Sequence, residues 1–129
     1  SSLTYEQVKC MQGLWEGYVK GLLAGKAESQ WPAALLKADY HGAVVRVEAS
    51  RTRSLVGKEG LVLQETHNAF IVIQSTDDQI KILPKRGTIF LIDLPTANTT
   101  MRLFGDQLLV YSSHRATRKF KPKPNVFSL

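Results

Sequence analysis

The sequence is poor in the residues that staple or span. It holds one cysteine, Cys10, in 129 residues. A lone thiol cannot close an internal disulfide, nor alone hold a zinc ion that wants about four N, S or O ligands. Disulfide-framed and zinc-finger scaffolds are therefore excluded. No apolar run approaches the roughly 20 residues that cross a bilayer, and no charged-then-apolar leader opens the chain. A soluble, intracellular protein without membrane partners is the expectation. The usual catalytic signatures are missing as well: no glycine-rich phosphate loop ahead of a helix, no metalloprotease histidine pair, no strand-turn-helix serine elbow. The chain opens Ser1-Ser2 with no methionine, which suggests that a preceding part was removed or left out.

What is present is ordinary for one folded unit. Hydrophobic residues make up 43% and charged residues 22%, and the length suits one core but not two. The net charge of +6 is unevenly spread. Residues 1–39 carry four lysines and four acids, and residues 40–106 eight basic and seven acidic side chains. No acid follows Asp106, while Arg115, Arg118, Lys119, Lys121 and Lys123 do. A basic segment beside a neutral core points to a polyanionic partner, because each phosphate neutralised releases a counterion. Nucleic acid leads that class, and a merely solubilising tail is the plain alternative.

Residues 5–24 read as an amphipathic helix, with Val8, Met11, Trp15, Tyr18, Val19 and Leu22 spaced by three and four. Thr4 and Gln7 fit a capping box, and Gly25 a stop. A shorter helix is expected after Ser29, with Pro32 in its first turn. From Gly42 the period changes to two. Strands are predicted at about 42–50, 59–66, 69–74, 79–84, 88–94, 100–104 and 107–112. His67-Asn68, Asp77-Asp78, Arg86-Gly87 and Gly105-Asp106 serve as turns. The prediction is a mainly β fold: an antiparallel meander of five or six strands closed into a small SH3-like, Sm-like or OB barrel, since closure removes exposed edges. One or two N-terminal helices (1–39) precede the barrel (40–112), and a basic C-terminal tail (113–129) follows it.

Few residues suggest chemistry. Asp77 and Asp78 could carry Mg²⁺, as in a nuclease, but adjacent carboxylates in a tight turn are usually turn formers. His41, His67 and His114 lack companions at ligand spacing, and Ser112-Ser113-His114 has the wrong geometry for a nucleophile and its base. Three basic clusters are better candidates for RNA contact: Arg51, Arg53 and Lys58 around a long loop; Lys85 and Arg86 at a hairpin; and Arg115, Arg118, Lys119, Lys121 and Lys123, with Phe120 as a stacking group. On the first helix, Leu14, Trp15 and Tyr18 belong to an apolar stripe wide enough to dock a second protein.

The order of short motifs carries a family resemblance. Lys37-Ala38-Asp39-Tyr40-His41-Gly42, Ser54-Leu55-Val56-Gly57 with Gly60, Gln64-Glu65-Thr66, and Leu83-Pro84-Lys85 ahead of Thr88-Ile89-Phe90 resemble the Pop4 family, the Sm-like protein subunit of archaeal and eukaryotic ribonuclease P. The tail Arg115-Ala116 with Arg118-Lys119-Phe120-Lys121 is similar to the eukaryotic form, whose members also carry a lysine-rich extension ahead of this region. The resemblance implies a six-stranded barrel that binds the RNA of ribonuclease P and of the related ribonuclease MRP. It implies a nuclear and nucleolar particle whose RNA, with Mg²⁺, removes the 5′ leader of precursor tRNA. It implies no protein active site and no cofactor on the protein. A small zinc-ribbon subunit would dock on the N-terminal helix, at Trp15 and Tyr18. Two readings compete: an SH3-like protein-interaction module with an incidental tail, and a metal-dependent nuclease acting through Glu65, Asp77 or Asp78.

Overall fold

A computed structural model describes residues 3–96 and 98–114, the side chains of 110–114 excepted. The predicted first helix forms as a short turn, α1 (Tyr5–Val8), running through Lys9 into α2 (Cys10–Leu23). Its start is capped as expected: Gln7 N donates to Thr4 Oγ1 over 3.3 Å, and Thr4 N donates to Gln7 Oε1 over 2.9 Å. α3 (Trp31–Leu36) carries Pro32 in its first turn, where a missing N–H costs nothing.

Six antiparallel strands follow: β1 (Val44–Ser50), β2 (Glu59–Glu65), β3 (Ala69–Ile73), β4 (Ile80–Pro84), β5 (Thr88–Leu94) and β6 (Thr99–Phe104). They form one sheet in the order β4-β3-β2-β1-β5-β6. Four consecutive strands are a meander, as read from the sequence, but β4 and β5 are not neighbours. Arg86-Gly87 is therefore no hairpin turn. It belongs to a corner that carries the chain from one edge of the sheet to the far side of β1. Four strand spacings of about 4.8 Å separate β4 from β5 in a flat sheet, whereas the stretch from Pro84 to Thr88 reaches at most about 14 Å. The sheet must curl. Irregularities in register between Val47 and Ala49 and between Val62 and Gln64 bend β1 and β2 as that curl requires.

The curl brings the two edges together at one end. A methyl group on Gly105, just past β6, would lie 1.8 Å from the carbonyl oxygen of Lys85, just past β4. No ladder joins β4 to β6 among the described residues, so the edges meet there by backbone contact rather than by strand pairing.

The chain then departs from the expected strand at 107–112. Residues Gly105–His114 form a helix, α4. Gly105-Asp106 is its first turn rather than a hairpin, and the Asp106 carboxylate accepts from Gly87 N over 2.9 Å. A short apolar run such as Leu108-Leu109-Val110 fits either period, and in the helix that forms Leu108 is 3% exposed, packed into the core.

That core is threaded by aromatic rings. Trp15 stacks on Tyr40 at 6.1 Å, Tyr40 meets Phe70 edge-on at 5.7 Å, and Phe70 meets Phe90 at 5.1 Å. The buried Tyr40 hydroxyl donates to the Leu35 carbonyl over 2.6 Å, so no polar atom is stranded there. Helix α2 is thereby fastened to the sheet. Because Gly105 admits the Lys85 backbone only for want of a Cβ, Gly105→Ala is expected to destabilise the fold by about 2 kcal/mol or more, read from urea unfolding.

Candidate nucleic-acid interface

The long β1–β2 connection starts where β1 ends beside the β4–β5 corner. Arg51 N donates to Gly87 O over 3.2 Å. A side chain on Gly87 would meet Arg51 Cδ at 2.6 Å, so the glycine lets the arginine stem lie across the corner, next to Arg86. Arg53 opens a short 3₁₀ turn, Arg53–Leu55, two residues further on. Arg51, Arg53 and Arg86 are exposed, and no ion pair links any of them to a carboxylate among the described residues. Arg51 and Arg53 of one predicted cluster and Arg86 of another thus share one end of the sheet. Lys58 is half-buried at the other end of the loop, held by its backbone to Val47 and Leu55.

Three other cations on the described surface are matched to acids. Arg102 grips Glu48 with two nitrogens, at 2.7 and 3.1 Å. Arg46 lies 3.9 Å from Glu59, and Lys9 2.9 Å from Glu6.

Lys85 corrects the sequence reading. Its side chain is wholly buried, with Nζ 2.8 Å from Glu65 Oε2, 2.8 Å from the Thr66 carbonyl oxygen and 5.2 Å over the Phe70 ring. Its own backbone N donates to Asn68 O. This ammonium is a peg that fixes the β4–β5 corner to the β2–β3 turn, and it offers no charge to a polyanion. The pair engages one oxygen of the Glu65 carboxylate as well. Asp77 and Asp78 are turn formers. Asp77 accepts from Gln79 N and Gln74 Nε2, and Asp78, at φ 59°, accepts from Tyr5 N.

Arg115, Arg118, Lys119, Phe120, Lys121 and Lys123 lie outside the described residues. Arg115 directly follows α4, whose ten residues span about 15 Å from Gly105.

On the N-terminal side, Trp15 faces inward at 4% exposure, and its indole N–H donates to Asp39 O over 2.8 Å. Its ring is core, not docking face. Leu14, 74% exposed, and Tyr18, 43% exposed, are what remains of the expected apolar stripe. The Tyr18 hydroxyl accepts from Asp39 N.

A cavity of about 470 Å³ that the sequence did not disclose lies beside this contact, lined by Tyr18, Lys37, Asp39, His41, Glu65 and His67. Partial burial would raise the pKa of Asp39, but the His41 backbone N–H and ring, both on Oδ1, hold it below the ordinary value. The residue types of Asp39-Tyr40-His41 are visible in the sequence; their meeting with the β2–β3 turn depends on the curl.

A sequence model of the family described as "Ribonuclease P/MRP, subunit p29" matches residues 33–118, from α3 through every strand and α4. The chain belongs to that family. The resemblance read from the motif order is thereby confirmed. Among p29 relatives, the Homo sapiens "Ribonuclease P protein subunit p29" is 35% identical over 117 residues, covering 88% of this chain and 52% of the relative. The Saccharomyces cerevisiae "RNases MRP/P 32.9 kDa subunit" is 36% identical over 123 residues, 85% of this chain and 44% of the relative. The Arabidopsis thaliana "Ribonuclease MRP protein subunit POP4" is 32% identical, with 81% and 34% covered. The chain spans about half or less of the length of these curated relatives. The p29 match includes the three arginines but not Leu14 or Tyr18.

Two outcomes follow. Lys85→Met strands the Glu65 carboxylate and is expected to cost about 3–5 kcal/mol in urea unfolding, most of it recovered in the Lys85→Met, Glu65→Leu double variant. In acid, the Arg102 hydrogen bonds hold Glu48 below its usual pKa, as His41 does for Asp39. Both stabilise the fold at neutral pH and lose that contribution as pH falls through their lowered values, below the ordinary carboxylate range. Glu48→Gln is expected to flatten the acid limb of a pH–Tm profile.

Proposed function

We propose that the chain is an RNA-binding, non-catalytic scaffold of the ribonuclease P and ribonuclease MRP particles. The observation that carries this reading is the arginine triad. Arg51, Arg53 and Arg86 sit at one end of the sheet with no acid matched to them among the described residues, whereas Arg46 and Arg102 of the sheet lie against Glu59 and Glu48. Fixed, unmatched cations recognise the spacing of phosphates on a folded RNA without reading bases. The tail cations Arg115, Arg118, Lys119, Lys121 and Lys123 would add to that surface when ordered on RNA, at an entropic cost, with Phe120 as a stacking group.

Membership of the p29 family supports the particle assignment. On this reading the RNA, with its Mg²⁺, carries the cleavage of the tRNA 5′ leader and the processing of rRNA precursors, in the nucleus and nucleolus. Among the described residues no group of three or more His, Cys, Asp or Glu side chains is placed to hold that metal, and Asp77, Asp78 and Glu65 each already accept a hydrogen bond. The curled sheet is read as the Sm-like barrel of the family, its edges meeting at Gly105 and Lys85. Leu14 and Tyr18 would take a second protein subunit, the small zinc-ribbon one. No helix among the described residues is long and apolar enough to cross a membrane.

The test is a salt titration of binding to a ribonuclease P RNA transcript. Changing Arg51, Arg53 and Arg86 together to glutamine is expected to lower the slope of log affinity against log salt by about 2 to 3. Neutralising Arg115, Arg118, Lys119 and Lys121 should lower it further. An unchanged slope in both variants refutes the reading.

A further inference from the structure

A second cleft opens beside the arginine triad. It has a volume of about 340 Å³ and lies outside the core, between the start of β5, the end of β6 and the first turn of α4. Its floor is the cross-strand pair Ile89 and Phe104, both half-buried and alternating with Phe90 and Leu103, which point inward. Gly87 and Gly105 leave its edge without side chains, and Asp106 and Gln107 stand at its rim. Arg51 lies across Gly87 and Arg86 precedes it, so the cations border the cleft.

We infer that this cleft holds one unpaired nucleobase, a guanine by preference, of an RNA whose flanking phosphates lie on Arg51 and Arg86. The inference rests on the RNA-binding reading above and names what that surface selects. An aromatic ring and an aliphatic side chain side by side offer a stacking surface for a base that has left its helix. The volume is near the lower end of small-ligand pockets, about 300–1,000 Å³, which suits a single nucleoside. Charge complementarity sets the occupant, because the phosphates of a strand running along the Gly87 edge of the cleft would meet Arg51 and Arg86. Asp106 sets the preference. One oxygen is fixed by the Gly87 N–H, and the other has no partner among the described residues. A carboxylate only accepts hydrogen bonds, and guanine offers N1–H and N2–H side by side, where adenine offers no such pair.

The test uses the whole chain and three fluorescein-labelled single-stranded RNAs: UUGUU, UUAUU, and the guanine strand with an abasic centre. UUGUU is expected to bind about tenfold more tightly than the abasic strand, the scale of one base stacked on an aromatic side chain, and more tightly than UUAUU. Asp106→Asn keeps an acceptor for Gly87 N–H and should erase the preference of guanine over adenine. Phe104→Leu should shrink the gap between base and abasic strands while leaving the salt slope unchanged. Equal affinity for UUGUU and the abasic strand overturns the cleft, and salt-sensitive binding of both would leave the arginine reading intact. Failure of every strand to bind also overturns the cleft, and the transcript titration then decides the arginine reading separately. A guanine preference that survives Asp106→Asn overturns the role of that carboxylate.

Discussion

The Lys85 ammonium has left water to sit among Glu65, the Thr66 carbonyl and the face of Phe70, and the geometry of the sheet turns on that placement. Removing a cation from water is costly, and it is tolerable only where its hydrogen bonds are replaced. Here two oxygens and a π face replace them. The gain is positional. The peg ties β2, β3 and the β4–β5 corner into one block, and the corner must be held because it carries the chain across the curl. Gly105 and Gly87 then press against the same block, one against the Lys85 carbonyl and the other against the Arg51 stem.

From this block the surface chemistry follows. Glu65 cannot neutralise an arginine because it is already taken by Lys85. Glu48 is taken by Arg102, and Glu59 lies by Arg46. What is left at the corner end is a set of guanidiniums whose local acid, Asp106, is turned to a backbone N–H. Three unmatched guanidiniums therefore stand together at one end of a fold whose described charges nearly balance. A small net charge, read as an average, hides them.

Much of this was legible in the sequence. The capping residues Thr4 and Gln7, the strand positions from Val44 to Phe104 and the family motifs all depend on local spacing, and they reappear where expected. The errors fall where local pattern is silent. Lys85 and Arg86 are adjacent cations in a turn-like pair, and nothing local says that one is buried and the other exposed; a glutamate twenty residues earlier decides it. Gly105-Asp106 has the composition of a hairpin turn, but the approaching Lys85 backbone demands the glycine and the Gly87 N–H recruits the aspartate. Trp15 sits at the helical spacing of both a core and a docking face, and only the Asp39 carbonyl shows which it is. The first cavity joins Tyr18, the segment before β1 and the β2–β3 turn, which are distant in the chain, and the second needs a helix where the local pattern suggested a strand.

The crossing from β4 to β5 has a consequence for how the chain reaches this shape. Hairpins β1–β2, β2–β3 and β3–β4 close between near neighbours, but β5 must pair with β1, roughly forty residues back, as in Val47 with Phe90 and Ser50 with Thr88. Such a long-range pairing is entropically expensive to nucleate, and chains dominated by it fold in about milliseconds to seconds rather than microseconds. Until the pairing forms, the flank of β1 is an open edge and Phe90 has no cover. A newly made chain therefore passes through a window of stickiness that ends only when the last strands swing across.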